Sequence, residues 1–303
     1  MPSPSPGLDT QALSTQVGGH PNGVTTTDDD SLVIKAALPG ELKFYQTMAS
    51  ATRPEYDALR PFLPKFIGIL SLEGELDTDK PQCEGTLNSR AQSIVLENLS
   101  HPFLKPNILD VKLGTKVARM IKTAEATTSA KTGIRLTGFQ HTAKSITAEQ
   151  LPEGIARFFP IATKETPEQG LPASLLLQIL ELLREDVEDI RDAFAALEMR
   201  MVGGSLLIVY ESDLTRAEEG LKWMLKDEDE EEGEDEDEDD ESSSSSSNKP
   251  PKPHPPYDVR LIDFAHTRFV PGQGPDQGVL LGFKTLLGLL DERIAAVRTC
   301  ATT

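Results

Sequence analysis

The sequence places a carboxylate and an ammonium two residues apart, at Asp110 and Lys112, within an apolar run that ends at Gly114. Side chains at positions i and i+2 of a strand share a face, so both groups would point into the same space. A fixed lysine beside a fixed aspartate suits phosphoryl transfer, in which the protein positions the reactants and neutralises the moving charge. Taken alone, the pattern is also typical of a surface ion pair.

A second charged pair lies nearer the start of the chain. Lys35 follows a short β-rich run, and Glu41 opens a segment with helical spacing that reaches Met48. Kinase-like small lobes hold ATP phosphates with a strand lysine that a helix glutamate keeps extended. The alternative for Lys35 is a lysine at a strand end whose ammonium reaches solvent.

An aspartate late in the chain is a candidate metal ligand. The apolar run that begins at Tyr257 delivers Asp263 at its end, and Phe264 follows. In kinases, the aspartate of an Asp-Phe pair of this kind binds the metal ion. Since Mg²⁺ prefers carboxylate, phosphate and water oxygens, an aspartate at a strand end beside bound ATP meets its needs.

Three cations recur every three residues at Lys116, Arg119 and Lys122, in a segment with helical tendency. This spacing places them along one helix face. Beside a phosphoryl-transfer site, such a face could bind a polyanionic small molecule. A solvated helix face is the alternative.

The spacing of apolar residues predicts the strands and helices that would carry these charged side chains. Strands are predicted over 31–36, 66–70, 93–99, 106–114, 133–139, 205–211 and 257–263. Helices are predicted over 41–48, 54–63, 115–126, 147–159, 172–196, 214–226 and 278–297. The strand 93–99 would become the hinge of a two-lobed nucleotide enzyme, where backbone groups of Glu97 and Leu99 pair with an adenine edge and Asn98 assists.

Composition narrows the class of protein. The formal charge is -19, but the acidic block 227–241 holds 14 carboxylates, and without them the charge is -5. A general nucleic-acid binder would need a basic surface, so direct nucleic-acid binding is not expected. Two distant cysteines indicate a reducing compartment. With no long apolar run and no signal-peptide pattern, we expect no transmembrane segment and a location in nucleus and cytoplasm.

Two segments are predicted to be disordered. Residues 1–15 are rich in proline and serine, and residues 227–256 combine the acidic block, six serines and a Pro/Lys/His stretch. Structured sequence follows the second segment, which therefore reads as a loop within the fold. A solvated spacer is the favoured interpretation, and an acidic arm that binds basic nuclear proteins is the alternative.

In order along the chain, these motifs resemble the inositol polyphosphate kinase family, whose signature is PxxxDxKxG followed by SLL and IDF. Here the three motifs are Pro106–Gly114, Ser205–Leu207 and Ile262–Phe264. The resemblance extends from about Gln16 to Leu290. Within the family, the compact size, the continuation Ala-His-Thr after the last motif, and the acidic insert look most like the multikinase branch.

The resemblance implies an α+β, two-lobed, protein-kinase-like (ATP-grasp-like) fold. An antiparallel-sheet N-lobe with the hinge would cover residues 16–100, and a mixed α/β C-lobe residues 101–303. It also implies ATP and Mg²⁺ as cofactors and a monomer. The substrates would be inositol tris- and tetrakisphosphate, with a phosphoinositide headgroup as a further candidate.

Carried over by matching motif, the nucleotide would be held by residues of both lobes. Lys35 would hold the ATP phosphates and Glu41 would orient it. Asp110 would bind the ribose and Asp263 the Mg²⁺. Lys112 would contact both the attacking hydroxyl and the γ-phosphate.

The substrate side departs from the family pattern. The segment after Gly114 and the loop after Gly138 are both shorter than is usual in the family. These gaps fall where the contacts to inositol phosphates from Lys116, Arg119, Lys122, Lys144 and His266 are expected. Two alternatives therefore stay open: a kinase-fold interaction protein acting through its acidic loop, and a sister kinase specific for a hexakisphosphate or a trisphosphate.

Overall fold

The computed structural model describes residues 10–13, 23–71, 92–115, 128–137, 146–230 and 254–302. Within these ranges the chain forms two lobes, each built on an antiparallel sheet. No helix in the described ranges is long and apolar enough to span a membrane.

The N-lobe is a five-stranded sheet with one main helix. Its strands, in the order β1-β2-β3-β5-β4 across the sheet, are β1 (Thr10–Ala12), β2 (Val24–Thr27), β3 (Leu32–Ala36), β5 (Gln92–Glu97) and β4 (Phe66–Ser71). Between β3 and β4 lie α1 (Pro39–Ser50), α2 (Pro54–Asp57) and a 3₁₀ turn (Arg60–Phe62). The helix predicted over 54–63 is thus broken, because Pro61 has no N–H to continue the hydrogen-bond ladder.

The C-lobe contains a four-stranded sheet, a two-stranded sheet and several helices. The larger sheet has the order β10-β9-β6-β7, formed by β10 (Tyr257–Ile262), β9 (Ser205–Glu211), β6 (Pro106–Leu113) and β7 (Ile134–Thr137). The smaller sheet pairs β8 (Met199–Met201) with β11 (Thr267–Phe269). The helices are α3 (Ser129–Thr132), α4 (Leu151–Phe158), α5 (Ala173–Ala195), α6 (Leu214–Glu230) and α7 (Gln277–Ala301), with a 3₁₀ turn at Ala148–Gln150 before α4.

Helices α5 and α7 pack together to form much of the aliphatic core. The apolar face of α5 is fully buried, at Leu176, Ile179, Leu183, Val187 and Ile190. Asp276 caps the N-terminus of helix α7, and its carboxylate accepts hydrogen bonds from the N–H groups of residues 278 and 279. Packing of this kind fixes the sheet that carries the candidate site.

The two lobes meet where α1 packs on the turn after β10. The ring of Phe264 stacks on Phe44 of α1 at a centroid distance of 3.8 Å and meets the edge of Tyr45 at 5.7 Å. A Cβ at Gly40 would lie 2.8 Å from the carbonyl oxygen of Ala265, so only glycine permits this approach. These contacts hold α1 of the N-lobe against the turn after β10 of the C-lobe, although the two segments are far apart in sequence.

Two predicted boundaries are wrong. Disorder over 1–15 does not hold for Thr10–Ala12, whose side chains are exposed but whose backbone pairs with β2. The segment predicted to be disordered over 227–256 includes residues that are ordered at both ends. Helix α6 continues to Glu230, in keeping with the helix propensity of glutamate, and His254 is packed, since its carbonyl oxygen would lie 2.3 Å from a Cβ at Gly220.

Candidate active site

The structure brings two lysines from different lobes onto one aspartate. Nζ of Lys35 lies 2.7 Å from Oδ1 of Asp263, and Nζ of Lys112 lies 2.7 Å from Oδ2. Lys35 belongs to the N-lobe sheet, whereas Lys112 and Asp263 come from the C-lobe. A single carboxylate thus joins the lobes at the centre of the site.

Sheet register explains how Lys112 reaches Asp263. Strand β9 lies between β6 and β10, and its first residue, Ser205, is paired with Lys112 on one side and with Ile262 on the other. Asp263 follows directly, with a φ of +67° that is uncommon outside glycine. Such a conformation costs about 1–3 kcal/mol, which the surrounding ion pairs help to offset.

Glu41 fixes the N-lobe lysine. Its Oε1 lies 3.0 Å from Nζ of Lys35, and its side chain is only 1% exposed. Glu41 lies on the same face of α1 as Phe44, Tyr45 and Met48, which are all buried. Its second oxygen, Oε2, has no hydrogen-bond partner within the described part of the chain.

Asp110 is the second buried carboxylate of the site. Its residue is 2% exposed, and its Oδ2 lies 3.2 Å from Nζ of Lys112. Its Oδ1 has no hydrogen-bond partner among the residues that the structure describes, so it could accept a hydrogen bond from a ligand hydroxyl. Burial raises the pKa of Asp110, although the charge of Lys112 opposes this shift.

The remaining charges of the site stabilise one another. Burial opposes ionisation of Asp263, but the charges of Lys112 and Lys35 outweigh it and lower its pKa to about 2. Burial likewise disfavours the charged lysines, yet the neighbouring carboxylates raise the pKa of Lys35 and of Lys112. All three groups are therefore ionised at neutral pH.

The hinge lies directly after β5. The Asn98 side chain is engaged within the protein: its Nδ2 donates to the carbonyl of Asp30 at 2.7 Å, and its Oδ1 accepts from the Ser100 N–H and hydroxyl at 3.1 and 2.9 Å. We therefore assign Asn98 to shaping the hinge rather than to contacting adenine. The N–H of Glu97 donates to Lys65, whereas the N–H of Leu99 has no acceptor among the residues that the structure describes.

The substrate-side predictions have a different outcome. Lys116, Arg119, Lys122 and Lys144 lie outside the described residues. His266 is exposed in the turn between β10 and β11. The predicted substrate roles of all five residues stay predictions.

Two further residues of the site were missed by sequence reasoning. The Ser205 hydroxyl accepts a hydrogen bond from Nζ of Lys112 at 2.6 Å and is fully buried. Arg135 is opposite Lys112 in the β6–β7 pairing, and its buried Nε has no hydrogen-bond partner among the described residues. Ser205 stands first in the SLL motif, which could have identified it, whereas the position of Arg135 depends on strand register.

The carboxylates of the site could bind a metal ion only if a bound nucleotide supplied further oxygen ligands. Among the described residues, no group of three or more His, Cys, Asp or Glu side chains could hold a metal ion by itself. Asp263 does supply one carboxylate at the site, and Mg²⁺ is commonly bound by one or two carboxylates plus substrate phosphates. The residues present therefore fit a nucleotide-bound Mg²⁺.

Comparison with known proteins agrees with this geometry. The family model described as Inositol polyphosphate kinase matches residues 93–291, about two thirds of the chain. The inositol polyphosphate multikinase of Saccharomyces cerevisiae is 28% identical over 92% of this chain and 97% of its own length. Inositol hexakisphosphate kinase 1 of Rattus norvegicus is 28% identical over 66% of this chain and 51% of its own length.

A solved structure shows the same fold. The inositol phosphate multikinase Ipk2 of Saccharomyces cerevisiae, in complex with ADP and Mn²⁺, superposes with a TM-score of 0.58 at 23% identity. The match covers 87% of this chain and 99% of that one, which confirms the predicted two-lobed, protein-kinase-like fold. With the family model matching more than half of its length, the chain belongs to the inositol polyphosphate kinase family.

Proposed function

We propose that this protein is an ATP-dependent inositol polyphosphate multikinase. It would transfer the γ-phosphate of ATP to hydroxyls of inositol tris- and tetrakisphosphate. The observation that carries the proposal is the convergence of Lys35 and Lys112, from opposite lobes, on the carboxylate of Asp263. Two fixed cations and one carboxylate suit a reaction whose main demand is the neutralisation of phosphate charge.

Each residue has a role in this reaction. Lys35, held by Glu41, binds the ATP phosphates, and the free oxygen of Asp110 accepts a ribose hydroxyl. Lys112 lies between the attacking hydroxyl and the γ-phosphate, where its ammonium stabilises charge on the transferred group. The Ser205 hydroxyl, at 2.6 Å, fixes the position of that ammonium.

Asp263 would hold the nucleotide-bound Mg²⁺. When bound, this ion neutralises charge on the β- and γ-phosphate oxygens. Support comes from the relative solved with ADP and Mn²⁺. Each carboxylate oxygen of Asp263 is paired with a lysine. For Asp263 to bind the metal, these ion pairs would weaken as the two lysines form new contacts with the nucleotide phosphates.

Arg135 is the residue that we assign to a substrate phosphate. It lies beside Lys112 on the same face of the sheet, and no carboxylate among the described residues pairs with it. A guanidinium without an acidic partner next to the reacting centre suits the recognition of a phosphate.

Incubation with ATP, Mg²⁺ and inositol 1,4,5-trisphosphate tests the proposal, with the products separated by anion-exchange chromatography. A multikinase gives tetrakisphosphate and then more highly phosphorylated products. A single phosphorylation that stops there would favour a trisphosphate kinase, and turnover of the hexakisphosphate alone would favour a hexakisphosphate kinase. Intact ATP binding with no transfer to any inositol phosphate or phosphoinositide lipid would overturn the proposal.

A further inference from the structure

A hydrogen bond outside the candidate active site also joins the two lobes. Nη1 of Arg260, on β10, donates to the carbonyl of Pro61, in the 3₁₀ turn of the N-lobe. Nε of Arg260 lies 3.0 Å from Oδ1 of Asp258, two positions earlier on the same face of β10. The guanidinium is therefore held by a carboxylate of the C-lobe while it bonds to the N-lobe.

Arg60 attaches the same 3₁₀ turn to α1. Nε of Arg60 donates to the carbonyl of Met48 at 2.7 Å, and Nη2 donates to the carbonyl of Ala51, the C-cap residue of the helix, at 2.6 Å. The last carbonyls of a helix have no partner within it, so an arginine that caps them is stabilising. Through Arg60, Pro61 and Arg260, the C-terminal end of α1 is thus connected to β10.

The N-terminal half of α1 is attached to the C-lobe at a different place. There Glu41 pairs with Lys35, which in turn pairs with Asp263, and aromatic rings of α1 and of the turn after β10 stack on each other. Helix α1 has 12 residues and so is about 18 Å long. A helix held only at one end can pivot about that end, whereas contacts at both ends prevent this rotation. Arg260 therefore fixes the orientation of α1 relative to β10.

The attachment through Arg260 matters most when a nucleotide is bound. Binding of the metal by Asp263 would weaken its ion pairs with Lys35 and Lys112, and with them the contact between the lobes at the active site. Arg260 and Pro61 are not among the residues that we assign to the nucleotide, the metal or the substrate. Their hydrogen bond can therefore persist while the ion pairs of the site rearrange.

We propose that Arg260 is a positioning residue for the proposed phosphoryl transfer. By holding the 3₁₀ turn against β10, it keeps the ATP phosphates on Lys35 aligned with Lys112. Sheet register is consistent with this role, since Leu207 of β9 is paired with Arg260 on one side and with Asp110 on the other. The inference rests on the proposed function, but the attachment of the lobes can be measured without turnover.

Hydrogen–deuterium exchange with mass spectrometry tests the attachment on the full chain with excess ADP and Mg²⁺. In Arg260→Gln, peptides over residues 48–63 should exchange about fivefold faster than in the wild type, the effect expected from losing one hydrogen bond. Arg260→Lys should exchange more slowly than Arg260→Gln, because an ammonium can still donate to the carbonyl of Pro61. Arg60→Gln, which breaks the other end of the connection, should reproduce the faster exchange.

Steady-state kinetics test the positioning role. Arg260→Gln should lower kcat about tenfold and leave both KM values within about twofold of the wild type, because a small misalignment slows transfer without removing a substrate contact. Arg298→Gln is the matched control, since Arg298 also pairs with a carboxylate, that of Glu181, but lies on α7. The control should change neither the exchange over 48–63 nor kcat.

Circular dichroism checks that each variant is folded, and Arg60→Gln replaces Arg260→Gln if the latter is not. Exchange at the wild-type rate over 48–63 in Arg260→Gln, an equal rise in exchange throughout α5, or a wild-type kcat would overturn the inference. If the wild type transfers no phosphate, the proposed function fails and the positioning role with it, while the exchange results still decide whether Arg260 joins the lobes.

Discussion

Nζ of Lys112 lies 2.7 Å from Oδ2 of Asp263, although 151 positions separate the two residues in the chain. Strand β9 bridges them, because Ser205 is paired with Lys112 and with the residue before Asp263. The lysine is thus held by the sheet and by the ion pair at once. Its role in phosphoryl transfer can be tested separately from nucleotide binding.

Replacing Lys112 with alanine should lower kcat by about 10²–10³-fold, the usual loss when one donor to a transition-state oxyanion is removed. ATP binding should persist, because Lys35 and Asp263 remain. Steady-state kinetics and calorimetry with ATP measure the two effects. Lys164→Ala, at an exposed lysine, is the control, and a Lys112 variant with wild-type kcat would contradict the role.

Asp263→Asn should abolish the Mg²⁺ dependence of ATP affinity, since it removes the proposed metal ligand. Binding titrations with and without Mg²⁺ give the measurement without any need for turnover. Asp258→Asn, at a carboxylate on β10, should retain the dependence. Equal metal dependence in the Asp263 variant and the wild type would show that the ion is held elsewhere.

Asp263 should also contribute to stability in a pH-dependent way. Its pKa is lowered to about 2 in the folded protein, against 3.8 ordinarily. The contribution is therefore complete above about pH 5 and is lost as the pH falls through 4 towards 2. With the side chain 34% exposed, it amounts to about 1–2 kcal/mol at neutral pH.

Denaturant unfolding at pH 7 and at pH 3 measures this contribution. The free energy of unfolding of the wild type should exceed that of Asp263→Asn at pH 7, and the difference should shrink at pH 3. A difference that is the same at both values would mean that the carboxylate charge is not the cause.

Ser205→Ala should lower kcat about tenfold and leave both KM values within about twofold of the wild type. The hydroxyl positions Nζ of Lys112 at 2.6 Å, and its loss removes a hydrogen bond to a charged group worth about 1.5–3 kcal/mol. Kinetic constants for both substrates separate this positioning role from a binding role. A rise in KM for ATP with unchanged kcat would contradict it.

Arg135→Gln should raise KM for the inositol phosphate about tenfold or more while leaving KM for ATP unchanged, because a charge-assisted contact to a phosphate is lost. Arg135→Lys keeps the positive charge, so its KM for the inositol phosphate should lie between those of the wild type and Arg135→Gln. Should KM for ATP rise instead, Arg135 would belong to the nucleotide site.

Several parts of the site could be predicted from sequence. The i and i+2 spacing placed Asp110 and Lys112 on one face, and Glu41 was expected at the start of a helix, from which it pairs with Lys35. Ordered motifs identified the fold. Local patterns were sufficient for the placement of the charged side chains, because each depends on residues within a few positions of one another, whereas the fold was identified through the resemblance to a family.

Other parts depend on long-range register and could not be predicted. Arg135 joins the site only because β7 is paired with β6 at Lys112. The side chain of Asn98 makes hydrogen bonds with Asp30 and Ser100. No sequence motif of the hinge indicates these bonds. The strand Thr10–Ala12 is held by backbone pairing with β2, and its side chains are exposed. Its sequence therefore lacks the alternation of apolar residues by which a strand is predicted.

The most direct measurement is single-turnover transfer of labelled γ-phosphate from ATP to inositol 1,4,5-trisphosphate by the wild type, Lys112→Ala and Asp263→Asn. We expect label on the inositol phosphate with the wild type, and at least hundredfold slower transfer with each variant. Transfer at the wild-type rate by both variants would contradict a reaction centred on the Lys112–Asp263 pair.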